Sequence, residues 1–338
     1  MNQAAKIHVL IYGLGPIGIQ ILQQCLRSER LALIGAVDID PGKIGQDIGE
    51  LAGGKPIGLR AVSSVEEIAV PVSDGRKVAI QATGSNLEQV WPQIRQLLDA
   101  GFSVVSTCEQ LSYPWHRYPR LSAEIDRYAR QTRHIVVGTG VNPGFVMDSL
   151  ALYLTSVTNG IHSIAVSRKV DVARRRVPLQ KKVGIGMTAE QFQALAREER
   201  IGHVGLEESL RLIAYGLELT LEDVQNRIEP TLAEKDMTLA VGPLRAGEVS
   251  GMHQVSRGTT AEGVSVELDL TMAVGAAQED RITVRSDEMP PLSLVIPNGI
   301  FGDTATANIA VNTVKTVHSF AADGLLTMAD LPIIRNSK

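Results

Sequence analysis

Gly13-Leu14-Gly15-Pro16-Ile17-Gly18 is the stretch that decides the fold. It joins an apolar run of strand length, residues 7–12, to a run with helical spacing, residues 19–26. In such a unit the first glycine allows a tight turn, the second lets a pyrophosphate approach the backbone, and the third lets the helix pack against the sheet. Pro16 suits the first helical turn, which holds phosphates with its N–H groups and dipole. The stretch therefore predicts a dinucleotide-binding site.

Asp38 follows the second predicted strand, twenty residues beyond Gly18. An acidic residue at this place hydrogen-bonds the adenosine ribose and repels a 2′-phosphate, so Asp38 favours NAD as the cofactor. Ile39 supplies no cation for NADP, but Lys43 is near enough in sequence to leave the use of NADP open. Because the strand, the helix and the acidic residue agree, the signal is much more specific than a glycine motif alone.

The length of the chain suggests two domains, and its composition is that of a globular protein. The chain has 338 residues, a net charge of −4 and a pI of about 6.0, so nothing in its charge points to nucleic acid as a partner. We find no apolar run of membrane-spanning length and no signal-peptide pattern, and we expect a cytoplasmic protein without a membrane partner. Cys25 and Cys108 lack metal-ligand spacing, so no metal site is predicted.

Strands and helices alternate up to about residue 148, which predicts a parallel sheet. Polar or glycine-rich segments follow its strands at Thr83-Gly84-Ser85, at Cys108-Glu109 and at residues 139–145. Ligands of open α/β sheets bind at the carboxyl ends of the strands. We therefore predict that Thr83, Gly84 and Ser85 lie beside the cofactor. An ordinary turn followed by Asn86 as a helix cap is the alternative.

The alternation ends at about residue 149. Strand patterns cover 162–172, 237–244, 248–257, 264–271, 281–285 and 292–296, and helical patterns cover 188–199, 206–219, 221–228 and 303–320. Consecutive strands without crossover helices predict an α+β domain with a mixed or antiparallel sheet. The fold class is thus α/β, with a Rossmann domain of 1–148 and 303–338. The inserted domain, 149–302, is expected to bind substrate and to form a homodimer through its sheet.

Several motifs form a set that is more specific than any one of them. They are Tyr12-Gly13-Leu14-Gly15-Pro16-Ile17-Gly18, Val37-Asp38-Ile39-Asp40, Cys108-Glu109, Leu111-Ser112-Tyr113-Pro114, Asn142-Pro143-Gly144-Phe145, Gly202-His203-Val204-Gly205-Leu206 and Glu208-Ser209. The set resembles the 2,4-diaminopentanoate dehydrogenases and the related native amine dehydrogenases. The resemblance implies a dihydrodipicolinate-reductase-like architecture, a homodimer, and NAD or NADP as cofactor. It also implies oxidation of an amine to a carbonyl and ammonia, or the reverse reductive amination.

The family's catalytic glutamate falls on Glu109. A carboxylate beside the reacting carbon can hold ammonium, stabilise an iminium and exchange protons at the carbinolamine step. The other interpretation of Glu109 is a helix-capping or surface carboxylate. Asn142 is predicted to bond the nicotinamide carboxamide or to line the pocket, and a turn-forming asparagine before Pro143 is the alternative.

Further candidates surround this centre. Cys108 is expected beside the cofactor, and Pro143 and Phe145 beside the substrate. Arg168, on a predicted strand, pairs either with a substrate carboxylate or with an acidic side chain of the protein. His203 is either a hydrogen-bond donor in the pocket or a structural histidine.

Two rival functions explain less of the sequence. A dihydrodipicolinate reductase carries a His-His pair followed by lysine and a Ser-Gly-Thr loop, whereas Met252-His253-Gln254 has one histidine and no nearby lysine. A non-catalytic NAD-binding sensor would need an effector-coupled surface such as a DNA-binding helix pair, and neither that motif nor a basic face is present. Which amine, ketone or diamino acid is the substrate stays open.

Overall fold

The computed structural model describes residues 6–71, 75–173 and 175–337. The chain divides into two compact units. Unit 1 comprises Met1–Phe145 and Phe301–Lys338, and unit 2 comprises Val146–Ile300. Unit 2 is thus an insertion in unit 1, with boundaries a few residues before the predicted 148 and 302.

The described residues form the following elements. The strands are β1 (Ile7–Tyr12), β2 (Leu31–Val37), β3 (Ala61–Val62), β4 (Lys77–Gln81), β5 (Phe102–Ser106), β6 (Ile135–Gly138), β7 (Ile161–Asp171), β8 (Leu221–Leu232), β9 (Met237–Leu239), β10 (Gly242–Leu244), β11 (Val249–Thr260), β12 (Ser265–Ala273), β13 (Glu279–Ser286), β14 (Leu292–Pro297) and β15 (Gly324–Leu326). The helices are α1 (Pro16–Arg27), α2 (Ile48–Leu51), α3 (Leu87–Asp99), α4 (Pro119–Thr132), α5 (Ser149–Thr155), α6 (Val177–Lys182), α7 (Ala189–Arg197), α8 (Leu206–Gly216) and α9 (Gly302–Ser319). Single 3₁₀ turns lie at Val65–Glu67 and Glu109–Leu111.

Unit 1 is built on a parallel sheet with the strand order β15-β6-β5-β4-β1-β2-β3. Strands β4, β5 and β6 are buried almost throughout, which explains why their sequences are continuous apolar runs. Because β1 pairs with both β2 and β4, the strand order reverses at β1. Such a topological switch point is where open α/β sheets bind ligands, outside the carboxyl ends of the strands.

Helix α9 returns to unit 1, as the apolar pattern of residues 303–320 predicted. It packs against α1 and against the β4 and β5 region of the sheet. Its buried stripe includes Ala307, Ala310 and Val314, whose small side chains allow close packing. The core of unit 1 therefore contains residues from both ends of the chain.

Unit 2 contains a mixed sheet with the strand order β14-β13-β7-β12-β11-β8. Strands β7 and β12 are parallel, and the other neighbouring pairs are antiparallel. On β7, Ile164 and Val166 are buried, whereas Ala165 and Lys169 are exposed. Helix α8 packs on β11, where a Cβ on Gly258 would lie 2.9 Å from the Leu210 side chain. The helix thus covers one face of the sheet and leaves exposed side chains on the other.

Some local predictions were wrong. Residues 221–228 were predicted as a helix, but they lie in β8, because pairing with β11 outweighs their ambiguous local pattern. Residues 237–244 form the hairpin β9–β10 instead of one strand, since the chain turns at Val241, whose N–H donates to Gln180 Oε1 at 3.0 Å. Strand β15 was missed because three residues are too few for a pattern. The capping box of Thr188 and Gln191 was predicted correctly.

Candidate active site

The turn between β1 and α1 has no room for side chains at two of its three glycines. A Cβ on Gly13, where φ is +99°, would lie 2.7 Å from Ala82 O, and a Cβ on Gly18 would lie 1.8 Å from Gly13 O. By contrast, no atom lies within 4 Å of the Cβ position of Gly15. The turn is therefore packed against the protein at Gly13 and Gly18 and open at Gly15, as the approach of a pyrophosphate requires.

Asp38 is buried against the same turn. Its Oδ2 accepts a hydrogen bond from Leu14 N–H at 2.5 Å, and its Oδ1 accepts one from Asp40 N–H at 2.8 Å. The Nζ of Lys43 lies 3.6 Å from Asp38 Oδ2 and 3.3 Å from Asp40 Oδ2. Lys43, which is close to Asp38 in sequence, is thus also close to it in space. A cation therefore lies beside the carboxylate that is predicted to bind the adenosine ribose.

The open side of the turn borders a cavity of about 760 Å³. Its lining includes Leu14, Gly15, Pro16, Gln20, Lys43 and Thr304. The amino end of α1 opens here, and unpaired N–H groups at a helix start attract phosphate. The cradle at Gly15, the carboxylate of Asp38 and the nearby cation together fit the pyrophosphate and adenosine ribose of NAD(P).

The turn after β4 is held by glutamines that the sequence patterns did not indicate. Gln81 is fully buried. Its Nε2 donates to Thr83 Oγ1 and to Gln93 Oε1, and its Oε1 accepts from the Ser106 hydroxyl of β5. The Thr83 hydroxyl therefore bonds within the protein.

The neighbouring Asn86 is the helix cap that the sequence suggested. Its Oδ1 accepts a hydrogen bond from Gln89 N–H at 3.0 Å and caps α3. Gly84 is exposed and Ser85 is half-buried at this carboxyl end of β4. The contact of Thr83, Gly84 and Ser85 with a cofactor stays a prediction.

Glu109 is half-buried and begins the 3₁₀ turn beyond the carboxyl end of β5. The next residue, Gln110, fixes this turn: its Oε1 accepts from Leu87 N–H at 2.8 Å and from the Tyr118 hydroxyl at 2.9 Å. Ser112 N–H donates to Glu109 O at 3.2 Å and closes the turn. The residue predicted to be catalytic is thus held in place at the edge where β4 and β5 end.

Cys108, which is predicted to lie beside the cofactor, begins the turn that carries Glu109 as its N-cap residue. Its side chain is fully buried and packs in the core with Val104 and Leu111. Its N–H donates to Ser106 Oγ at 3.0 Å. A buried thiol in apolar surroundings contributes packing, so the Cys108 side chain supports the turn that carries Glu109. The contact of Cys108 with a cofactor stays a prediction.

The loop after β6 contributes an unsatisfied acceptor. Asn142 Oδ1 is buried and has no hydrogen-bond partner in the described part of the chain. The Asn142–Pro143 bond is cis, and Val141 N–H donates to Thr306 Oγ1 of α9 at 3.2 Å. An unpaired amide oxygen at this edge suits a ligand N–H group. Pro143 is buried and Phe145 packs on the core of unit 1, and their contact with substrate stays a prediction.

Arg168 is not available to a substrate. Its Nη1 donates to both carboxylate oxygens of Asp280, at 2.8 and 2.7 Å, and its Nη2 donates to Ile300 O at 2.8 Å. The side chain is only 4% exposed. Burial raises the pKa of the Asp280 carboxyl, and the Arg168 guanidinium opposes that rise. The prediction of a substrate-carboxylate partner is therefore wrong, and the alternative, an acidic side chain of the protein, is correct.

His203 lies in unit 2, in the segment before α8. Its N–H donates to Gln254 Oε1 at 2.9 Å, and its carbonyl accepts from Gln254 Nε2 at 3.2 Å. Gln254, on β11, thus fixes the backbone of His203 with both ends of one amide. The contact of the His203 imidazole with a substrate stays a prediction.

Two features are absent from residues 6–71, 75–173 and 175–337. This part of the chain contains no cluster of three His, Cys, Asp or Glu side chains that could hold a metal ion. It also contains no helix of the length and hydropathy that a membrane crossing needs.

Comparison with known proteins gives the family. The model of the 2,4-diaminopentanoate dehydrogenase C-terminal domain matches residues 145–337. The chain belongs to the 2,4-diaminopentanoate dehydrogenase family. A 2,4-diaminopentanoate dehydrogenase from Acetoanaerobium sticklandii is 28% identical, over 98% of this chain and 94% of its own length.

Solved structures related to this member of the 2,4-diaminopentanoate dehydrogenase family share its fold. An amine dehydrogenase from Mycobacterium smegmatis superposes with a TM-score of 0.86 at 24% identity, covering 100% of this chain and 99% of the other. The WlbA dehydrogenase from Bordetella pertussis, solved with NADH and UDP-GlcNAcA, has a TM-score of 0.56 at 17% identity and covers 94% and 91%. The predicted α/β fold class is confirmed.

Membership of the 2,4-diaminopentanoate dehydrogenase family confirms the predicted enzyme class and cofactor. The chain is an NAD(P)-dependent oxidoreductase that acts on CH–NH₂ donors. A 4-hydroxy-tetrahydrodipicolinate reductase from Gloeothece citriformis is 24% identical over only 30% of this chain. The single histidine of Met252-His253-Gln254, which was compared above with the His-His pair of the reductases, lies beside a carboxylate of the protein. Its Nε2 is 3.2 Å from Asp269 Oδ1.

Proposed function

We propose that this enzyme oxidises a small amine or diamino acid to a carbonyl compound and ammonia, and catalyses the reverse reductive amination. The observation that carries the proposal is the position of Glu109, held by the Gln110 contacts beyond the carboxyl end of β5. This is the edge at which parallel sheets present catalytic groups. The family membership supports the CH–NH₂ chemistry.

Glu109 is proposed to act as both acid and base. Its carboxylate takes a proton from ammonium, which frees the nitrogen lone pair to attack the carbonyl carbon. The same group returns the proton when water leaves the carbinolamine, and its negative charge then stabilises the iminium cation. Bound NAD(P)H supplies the hydride that reduces the iminium carbon.

Asn142 is proposed to orient the nicotinamide ring. Its unpaired Oδ1 can accept one N–H of the carboxamide, whose two N–H groups both need acceptors. Satisfying a buried acceptor with the ligand favours the bound state, because the empty state leaves that oxygen without a partner. The ring is thereby held at the sheet edge that also carries Glu109.

A panel of carbonyl compounds tests the proposed reaction. Simple ketones and aldehydes and 2-amino-4-oxopentanoate are each mixed with ammonium, NADH and enzyme, and NADH loss is followed by absorbance. We expect ammonium-dependent oxidation with at least one member of the panel. Oxidation of NADH only with tetrahydrodipicolinate would instead support the rival reductase.

The arrangement of Asp38 and Lys43 predicts use of both cofactors. A 2′-phosphate within reach of Lys43 gains a charge-assisted hydrogen bond, which is worth roughly 1.5–3 kcal/mol. We therefore expect Lys43→Ala to lower kcat/KM for NADPH by about tenfold or more and to leave NADH nearly unchanged.

Asp38→Asn is the complementary variant, with the opposite expected effect. It keeps one acceptor, which Leu14 N–H can use, gives up the second acceptor that Asp40 N–H uses, and removes the negative charge that opposes a phosphate. The ratio of kcat/KM for NADPH to that for NADH should therefore rise in Asp38→Asn and fall in Lys43→Ala. If both variants keep the wild-type ratio, neither residue discriminates between the cofactors.

We further propose a homodimer that forms through the uncovered face of the unit 2 sheet. At its centre Ala165 on β7 is flanked in register by Glu267 of β12 and Thr283 of β13. The surrounding charges have both signs, as in the ion pair between Arg257 and Glu267. A face with a small side chain at its centre and charges of both signs around it can be complementary to its own copy, as a twofold interface requires.

Light scattering coupled to size exclusion tests the homodimer. We expect a mass of about twice the 36.4 kDa of one chain. Ala165→Glu should produce monomers, because the new carboxylate is forced into the interface without a partner. The control Ala194→Glu changes another exposed alanine of unit 2, on α7, and should stay dimeric. A wild-type monomer would contradict the proposal.

A further inference from the structure

Two buried hydroxyl groups near Glu109 have no hydrogen-bond partner among the residues that the structure describes. They are Ser112 Oγ and Thr139 Oγ1, on side chains that are 1% and 2% exposed. A hydroxyl loses its bonds to water when it is buried, so an unpaired one opposes folding unless something else satisfies it. Their burial therefore points to a small polar ligand that the protein itself does not supply.

The backbone brings the two hydroxyl-bearing residues to the same edge of the sheet. Ser112 closes the 3₁₀ turn that Glu109 begins, and Thr139 directly follows β6, where its N–H donates to Ser106 O at 2.8 Å. Between them lies Gly138, at which a Cβ would be only 2.8 Å from Ser112 N. The missing side chain of Gly138 thus lets the Glu109 turn press against the end of β6.

We propose that Ser112 and Thr139 form, together with Glu109, a subsite for ammonia. This inference rests on the proposed reductive amination and names the residues that bind its nitrogen donor. Ammonia offers three N–H groups, and hydroxyl oxygens and a carboxylate are acceptors for them. Because both hydroxyls are neutral, the nitrogen can lose its proton to Glu109 and keep its lone pair for the carbonyl carbon.

The reaction at this subsite balances. Ammonium gives one proton to the Glu109 carboxylate, and the nitrogen lone pair forms a C–N bond as the carbonyl π electrons move to oxygen. A proton moves from nitrogen to that oxygen and gives the carbinolamine. Glu109 then protonates the hydroxyl, the C–O bond breaks, water leaves, and the resulting iminium takes the hydride that NAD(P)H supplies. The two hydroxyls hold and orient nitrogen throughout and exchange no electrons.

Four variants test the subsite. Thr139→Val and Ser112→Ala remove the hydroxyls, and Thr139→Ser restores one. Thr313→Val is the matched control, because Thr313 is equally buried but its hydroxyl donates to Ile309 O at 2.8 Å. The KM for ammonium is measured at saturating NADH and ketone, together with the KM for ketone and the Kd of NADH.

We expect each hydroxyl deletion to raise the KM for ammonium by about tenfold, since one hydrogen bond to nitrogen is lost. Thr139→Ser and Thr313→Val should keep the wild-type KM for ammonium, and no variant should change the Kd of NADH. The subsite is overturned if both deletions leave that KM within about twofold of wild type. It is also overturned if the KM for ketone and the Kd of NADH rise equally, which would mean a distorted site. If the wild-type enzyme shows no ammonium-dependent oxidation of NADH, the proposed function itself is contradicted. This outcome is measured with the wild type alone, so it is distinguished from a failure of the subsite, which is measured with the variants.

Discussion

Glu109→Gln is expected to lower kcat for reductive amination by about 10²–10⁴ while NADH still binds with nearly wild-type affinity. The amide is close to the carboxylate in size, so the 3₁₀ turn and its Gln110 contacts should persist. What is lost is the group that exchanges protons and the charge that stabilises the iminium. The cofactor turn is formed by other residues, Gly13 to Gly18 and Asp38, so its binding should not depend on Glu109.

The control is Glu88→Gln, which makes the same chemical change at an exposed position in the first turn of α3. We expect this control to keep wild-type turnover and NADH affinity. Steady-state kinetics give kcat, and fluorescence titration gives the Kd of NADH. If Glu109→Gln kept more than about a tenth of wild-type turnover, another residue would be responsible for the proton transfers.

Gly18→Ala and Gly15→Ala are both expected to bind NADH less tightly, but for different physical reasons. A Cβ on Gly18 would lie 1.8 Å from Gly13 O, a backbone atom that cannot move without displacing β1. Overpacking of this kind costs typically 1–3 kcal/mol or more, so Gly18→Ala should unfold at a lower temperature and bind NADH poorly. Gly15→Ala meets no atom within 4 Å and has a φ of −64°, so its stability should change by at most about 1 kcal/mol.

The new methyl group of Gly15→Ala would instead stand where the pyrophosphate approaches. We expect its Kd for NADH to rise at least about tenfold, or 1.4 kcal/mol, with a nearly unchanged melting temperature. Calorimetry and fluorescence titration on the same samples separate the two effects. Wild-type NADH affinity in Gly15→Ala would mean that the phosphates do not lie against this turn.

The structural features that the sequence predicted correctly are those determined by local geometry. The glycine turn could be predicted because each glycine has a steric reason within a few residues of itself. The Asn86 cap and the capping box of Thr188 depend on partners three residues away. Sequence periodicity also placed α9, since its buried stripe has helical spacing.

The parts that sequence could not predict depend on partners that are distant in the chain. Gln81 meets Ser106 across 25 positions, and Gln110 meets Leu87 across 23. The sequence left two partners open for Arg168, and only the fold shows Asp280, 112 positions away, as the correct one. No local signal distinguishes a buried unpaired hydroxyl such as Thr139 from an ordinary one, because burial is a property of the fold.

The same limit explains the wrong prediction at residues 221–228. Their spacing is compatible with a helix, and β8 forms because β11 offers a complete row of backbone partners. This pairing adds the edge strand of the sheet in unit 2. Local preference is a weak guide wherever a neighbouring strand supplies the hydrogen bonds.

The most direct test of the central claim is the stoichiometry of amine oxidation. Enzyme, NAD⁺ and 2,4-diaminopentanoate or a simple primary amine are incubated, and NADH and free ammonia are measured in the same sample. The account predicts that both products form in equal amounts in the wild type and that neither forms at a comparable rate with Glu109→Gln. Formation of NADH without ammonia would contradict it, as would the absence of both products with every amine.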